Sequence, residues 1–180
     1  MFSERIDGFG LDDCPGHAKW IEPAEWLGAP VARRFPLHLI SSQPRMRLHS
    51  QYDNGIASRA AKVAGREPIF INPRDAAARG VIAGSIVRVF NDRGACLAGA
   101  VLTDTMMQGV VQLATGAWLD VDDGGVDRHG NPNVLTLDKG TSGLAQGPVA
   151  HTALVEVAPL VGAAPDMRAF DPPALREEVA

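Results

Sequence analysis

Between residues 37 and 157 the chain is divided into short apolar runs, at 37–40, 68–71, 85–90, 95–103, 110–114 and 151–157, separated by stretches rich in Gly, Pro, Asn and Asp. Runs of this length, rich in Val, Ile and Leu and bounded by turn formers, read as strands. The runs at 85–90 and 95–103 flank Asn91-Asp92-Arg93-Gly94, so they predict a β-hairpin. One stretch carries agreeing helix signals: Asn72 as N-cap, Pro73 at the first helical position, Asp75 in the first turn and Gly80 at the end. The expected fold is therefore mainly β with short helices, closed into a compact barrel.

At 180 residues the chain is long enough for one domain with a real core, the soft prior being about 150 residues per domain. Its net charge of -4 leaves no basic footprint, so neither nucleic acid nor an anionic membrane surface is an expected partner. Any anionic ligand must be held by local groups. Cys14 and Cys96 lie far apart and lack metal-binding spacing, which predicts two reduced thiols. Asp-Asp-Cys14-Pro-Gly-His17 places two potential metal ligands three residues apart, but without a second pair it reads as a turn. No apolar run is long enough to span a bilayer and the N-terminus lacks a signal peptide's pattern. The expected location is the cytoplasm, or the periplasm where the whole protein carries a targeting signal.

Polar residues concentrate in two places. Directly after the run at 37–40 comes Ser41-Ser42-Gln43-Pro44-Arg45-Met46-Arg47-Leu48-His49-Ser50-Gln51. A short strand ending in this many hydrogen-bonding side chains has stopped building core and presents a ligand-binding loop. Residues 116–147 form a long Gly-rich segment carrying Asn131, Asn133, Thr136, Asp138, Lys139, Thr141, Ser142 and Gln146; a loop of this length in a small domain favours function.

Catalytic and nucleotide motifs are largely missing. No G-x-S-x-G elbow, P-loop or complete G-x-G-x-x-G fingerprint occurs, and Asp120, Asp122 and Asp123 adjoin Gly124-Gly125, the pattern of a solvated turn. The remaining donors and acceptors, His38, Ser42, Gln43, Arg45, Arg47, His49, Ser50 and Gln51 from one segment and Asn133 and Gln146 from another, suit binding better than bond-breaking. Ser and Arg satisfy phosphate oxygens, while Asn and Gln match the mixed edge of a pterin or purine.

Several blocks, taken in order, carry a family resemblance. Arg47-Leu48-His49-Ser50-Gln51, the stretch from Ile71-Asn72-Pro73-Arg74-Asp75 to Gly80, Val87-Arg88-Val89-Phe90-Asn91-Asp92-Arg93-Gly94, and Leu137-Asp138-Lys139-Gly140-Thr141-Ser142-Gly143-Leu144-Ala145-Gln146-Gly147 resemble the C-terminal part of molybdenum enzymes of the dimethyl sulfoxide reductase family. Within that family the chain is most similar to the biotin sulfoxide and trimethylamine N-oxide reductase branch. The resemblance runs from about Phe2 to about Pro159.

The resemblance implies a molybdopterin dinucleotide-binding domain with a double-psi β-barrel, the aspartate decarboxylase-like fold. It implies contact with a bis(molybdopterin guanine dinucleotide) cofactor through His38, Ser42 and Gln43 on a first loop, Arg47, His49, Ser50 and Gln51 on a second segment, Asn133 of Asn133-Val134-Leu135-Thr136, and Gln146. The family's metal ligand and catalytic residues belong to domains preceding this one. The isolated chain is therefore expected to be without its cofactor, to lack any catalytic or metal-binding residue of its own, and to need those domains as partners for S- or N-oxide reduction.

Three parts are expected: an extended arm at 1–34, which packs on something because its tryptophans are too apolar for a disordered tail; the barrel at 35–160; and a loosely held tail at 161–180. Two other functions stand beside the cofactor domain. One is an independent small enzyme on the same barrel, such as a decarboxylase processed at Gly84-Ser85; the other is an interaction domain with a vestigial pocket.

Overall fold

In the computed structural model, which describes residues 2–172, the apolar runs become strands β1 (Leu37–Ile40), β2 (Pro68–Ile71), β3 (Ile86–Phe90), β4 (Ala95–Leu102) and β5 (Val110–Leu113). A two-residue strand β6 (Val126–Asp127) lies within the long polar segment, and β7 (Ala153–Pro159) closes the series. The helices are short: α1 (Phe2–Asp7), α2 (Ile56–Ala61) and α3 (Pro73–Ala77). The Asn72 side chain caps α3 by accepting from the Arg74 amide at 2.9 Å, and Gly80 reverses the chain with φ +68°.

The strands pair around a closed ring, β1 to β5, β5 to β2, β2 to β4, β4 to β3, β3 to β7 and β7 back to β1. Two of these contacts are parallel, β1 with β5 and β2 with β4; the other four are antiparallel. Parallel neighbours cannot be joined by a tight turn, so the chain crosses over between them, as in a double-psi barrel. Closure leaves no free edge on these six strands.

Alternate residues of each strand point inward, and Leu37, Leu39, Ile69, Ile71, Val87, Val89, Val111, Leu113, Val155 and Val157 form the core. In β4 the positions from Ala95 to Ala100 are all buried, on both faces. The outer face is covered because Gly99 has no side chain: a Cβ there would sit 2.4 Å from Val63 Cβ, so the segment after α2 packs directly on the strand.

The arm packs on the barrel, though it begins as a helix rather than extended chain. Its anchor is Glu25, which pairs with Arg93 of the β3–β4 turn and accepts from the Leu154 amide at 2.7 Å. Arg93 also donates to the Leu135 carbonyl at 2.7 Å, so one guanidinium joins arm, hairpin and polar segment. The tail differs from its expected looseness. Arg66 donates to the Pro165 carbonyl at 2.6 Å, the Arg168 amide donates to Asp120 at 2.6 Å, and Phe170 stacks edge-on against Trp118 and His129. Proline-rich composition hides this docking, which depends on one aromatic ring finding a slot. The last residues of the tail, from Pro173, lie outside the described region.

Glu25→Ala leaves Arg93 and the Leu154 amide without their carboxylate and should destabilise the chain by about 3 kcal/mol. Urea unfolding monitored by tryptophan fluorescence reads this as a lower midpoint; an unchanged midpoint would show that the arm is not anchored there.

Candidate functional site

At one end of the barrel β1 and β5, being parallel, release their chains side by side. The loop after β1 (residues 41–55) and the turn after β5 (114–118) therefore meet, and the Thr115 amide donates to the Ser42 carbonyl at 2.9 Å. Beside them opens a cleft of about 380 Å³, lined by Gln43, Arg45, Arg47, Lys62, Thr105 and Gln112 among others.

Residues 48–52 are all exposed. Gln43 grips His49, accepting from its amide at 3.1 Å and lying 2.7 Å from its ring Nδ1. His49 and Tyr52 have positive φ, +50° and +61°, a left-handed backbone that costs non-glycine residues about 1 kcal/mol each. Strain of this kind persists only where surrounding contacts overdetermine it. Among the described residues, the side chains of Ser50 and Gln51 have no hydrogen-bond partner within the protein, so their polar atoms are free for a ligand.

Ser42 accepts from Gln112 at 2.5 Å, which leaves its hydroxyl hydrogen to donate. Arg45 is exposed on the cleft wall. Arg47 is different. Its side chain is only 3% exposed, and it donates to the carbonyls of His49 at 3.0 Å and Thr115 at 2.9 Å and to Ser58 and Glu67. This guanidinium is spent on the protein; Arg45, two residues earlier, is the cation turned toward the cleft.

His38, on β1, lies 2.7 Å from the His151 carbonyl through Nε2, which therefore carries the proton. It ties β1 to the turn before β7. Asn133 and Gln146 are exposed on two other loops, and among the described residues no hydrogen bond or ion pair joins either to the 43–51 wall. Asn133 follows the cap residue Asn131, whose side chain accepts the Asn133 amide at 2.9 Å. Gln146 donates to the Ser142 carbonyl at 2.9 Å, in a loop that meets the arm where the Gly143 amide reaches Asp13 at 3.0 Å. The acidic cluster is structural: Asp122 accepts from the Gly124 and Val126 amides, both at 2.9 Å, and Asp120 pairs with Arg128.

Beneath the wall lies a buried ionic floor. Arg47 and Lys62 face Asp53 and Glu67, with Lys62 Nζ 2.8 Å from Asp53 and 3.0 Å from Glu67. Burial pushes the Asp53 carboxyl up, but Lys62, the Trp118 amide and Arg47 together outweigh it and hold it below the usual carboxylate range. His129 is fully buried beside this group, with Nδ1 2.9 Å from the Trp118 carbonyl. Burial, aided by the nearby Lys62 charge, pushes the His129 imidazole down, so it is neutral at pH 7. Asp53, Lys62, Glu67, Gly116 and Trp118 escaped sequence reasoning. Asp53 looks there like one more turn residue of Tyr52-Asp53-Asn54-Gly55.

The donor set fits a large ligand with phosphates and amide-like ring edges. The exposed Arg45 guanidinium lines the cleft, the Gln43 and Gln112 amides that line it are bonded to His49 and Ser42, and the unpartnered Ser50 and Gln51 side chains stand outside it on the same loop; Glu67, the one carboxylate among the described lining residues, is paired with Arg47 and Lys62.

The buried His129 and Asp53 also set a pH dependence. Both titrate lower when folded, so the unfolded chain binds more protons as the pH falls, and stability falls with it. The His129 contribution is lost below about pH 6.5, and that of Asp53 below about pH 4. Urea midpoints should therefore drop between about pH 7.5 and 5.5 in the wild type and drop less in His129→Gln; equal slopes would remove His129 as the cause.

Comparison with known proteins places this arrangement. The family described as the molydopterin dinucleotide binding domain matches residues 37–154. The chain is 46% identical over 177 residues to a dimethyl sulfoxide/trimethylamine N-oxide reductase of Cereibacter sphaeroides, covering 96% of this chain and 21% of that protein. It is 48% identical over 180 residues to a trimethylamine-N-oxide reductase of Salmonella typhi, covering 97% and 21%. To a biotin sulfoxide reductase of Cereibacter sphaeroides it is 49% identical over 171 residues, covering 94% and 23%. The chain thus spans about a fifth of the length of these relatives. Among solved structures, acetylene hydratase from Pelobacter acetylenicus superposes with a TM-score of 0.72 over 88% of this chain and 23% of that one, at 15% identity, a likeness of fold alone. The match across residues 37–154, together with the closed six-stranded barrel, shows that this chain belongs to the molydopterin dinucleotide binding domain family.

Proposed function

We propose that the chain forms one wall of the site for a bis(molybdopterin guanine dinucleotide) cofactor within a larger molybdenum-dependent S- or N-oxide reductase. The observation that carries this reading is the meeting of the loops after β1 and β5 beside an open cleft lined by Gln43, Arg45 and Gln112, while farther along the first loop the exposed side chains of Ser50 and Gln51 are unpartnered among the described residues and His49 is held by Gln43. When bound, the cofactor supplies the metal centre for oxygen-atom transfer. The residues of this chain bind and orient it.

Gln51 and Ser50 offer hydrogen bonds to a mixed donor and acceptor edge, the Ser42 hydroxyl and the Arg45 guanidinium suit phosphate oxygens, and His49 and Gln43 form the rim between them. Arg47 and His38 act from behind, by fixing the loop and the strand that carry these groups. Asn133 and Gln146, on separate loops, meet parts of the cofactor beyond this cleft. Reduction of substrate then depends on the preceding domains of such an enzyme, and the isolated chain does not perform it. No helix among the described residues is long and apolar enough to cross a membrane, and the chain shares the compartment of the whole reductase.

Isothermal titration of the chain with guanosine diphosphate should give weak but saturable heat, since half a site forgoes the other half's contacts. Absence of heat at any accessible concentration would overturn the reading. In a full-length reductase carrying this domain, His49→Ala or Gln51→Ala should lower molybdenum content before it slows turnover per molybdenum. A variant with full metal content and slow turnover would instead place these residues in the chemical step.

A further inference from the structure

The exposed segment His49-Ser50-Gln51 holds a left-handed backbone at His49 and is tied within its own loop by Gln43, by Arg47 and by the Gln51 amide, which donates to the Leu48 carbonyl at 2.9 Å. A second grip comes from the turn after β5. Gly116 lies so close to the His49–Ser50 peptide that a Cβ on it would stand 2.0 Å from the His49 carbonyl oxygen and 2.7 Å from the Ser50 nitrogen. Gly116 itself has φ +87°. Trp118 completes the grip from the side, its indole Nε1 donating to the Ser50 carbonyl at 2.8 Å while its amide donates to Asp53 Oδ2 at 2.8 Å. From below, Arg47 Nε donates to the His49 carbonyl at 3.0 Å and another nitrogen of the same guanidinium donates to the carbonyl of Thr115, in this turn, at 2.9 Å.

The carbonyls of His49 and Ser50 are therefore both occupied by protein donors, and the peptide between them rests on a bare α-carbon. We infer that Gly116 and Trp118 are positioning residues for ligand recognition: with Arg47 they hold His49, Ser50 and Gln51 in binding geometry before any ligand arrives. This rests on the reading of these residues as a cofactor wall. The physical gain is preorganisation, since a loop already ordered does not lose that freedom on binding. Neither residue touches the ligand in this scheme.

Amide hydrogen exchange followed by mass spectrometry, on the full chain without ligand, tests the inference directly. Trp118→Phe removes one donor and keeps the ring that packs on Phe170; Gly116→Ala adds the obstructing methyl. Both variants should exchange faster across residues 48–52, about fivefold for loss of the single hydrogen bond, with amides of β2, β4 and β5 unchanged. Guanosine diphosphate binding should weaken by a similar factor. A merely structural role would speed exchange throughout the barrel without singling out 48–52, and that result overturns the inference, as does unchanged exchange at 48–52 in folded Trp118→Phe. If Gly116→Ala does not fold, Trp118→Phe alone decides. Faster local exchange combined with no nucleotide heat in the wild type overturns the cofactor reading while supporting the positioning of the segment.

Discussion

Two cations and two carboxylates sit almost wholly out of water beneath the loop after β1, and the candidate site depends on their balance. Arg47 and Lys62 offset Asp53 and Glu67, with side-chain exposures of 3%, 2%, 0% and 3%. Each charge alone would be costly to bury, and removing any one leaves an uncompensated partner, a loss of about 3 to 5 kcal/mol. Ion pairs of this kind are poor sources of net stability compared with a well-packed apolar core. Their geometry nevertheless specifies one arrangement, because each nitrogen must find its oxygen. Here the fixed elements are the loop after β1, the start of β2 and the residues following α2.

That constraint reaches the surface through a short chain of contacts. Arg47 holds the His49 and Thr115 carbonyls, Asp53 holds the Trp118 amide, and Trp118 holds the Ser50 carbonyl. Below them Asp127, wholly buried, accepts the amides of Asp120, Gly130 and Asn131 at 2.8, 2.7 and 2.6 Å, so the start of the long polar segment is organised by one carboxylate. The barrel supplies the rigid end on which these loops stand. Such a division, a rigid scaffold with polar loops gathered at one end, suits a domain that holds a large ligand.

Much of this was legible in the residues. The strands fall where short apolar runs meet turn formers, since burying alternate side chains requires that pattern, and the cap at Asn72 follows from local hydrogen-bond chemistry. The density of donors at 41–51 singles out a loop of which residues 43–47 line the cleft while 48–51 stand outside it. Arg47 shows the limit. In the sequence it is an arginine among polar neighbours, indistinguishable from Arg45, yet one is buried in an ionic floor and the other is open to solvent. Phe170 makes the same point, since nothing in a proline-rich tail foretells that its ring will pack against Trp118 and His129.

Residue order alone settles the strand-forming segments, the capped helix, the hairpin turn and the family to which the blocks around His49, Asn72, Asp92 and Gln146 belong. These depend on neighbours along the chain or on residue order. Three-dimensional packing was needed to show that β1 lies parallel to β5, that Gly116 and Trp118 grip the His49–Ser50 peptide, and that Asn133 and Gln146 stand on loops apart from it. Those outcomes depend on groups distant in sequence, Arg47 with Thr115 and Asp53 with Trp118, whose pairing is set by burial and barrel closure rather than by local propensity.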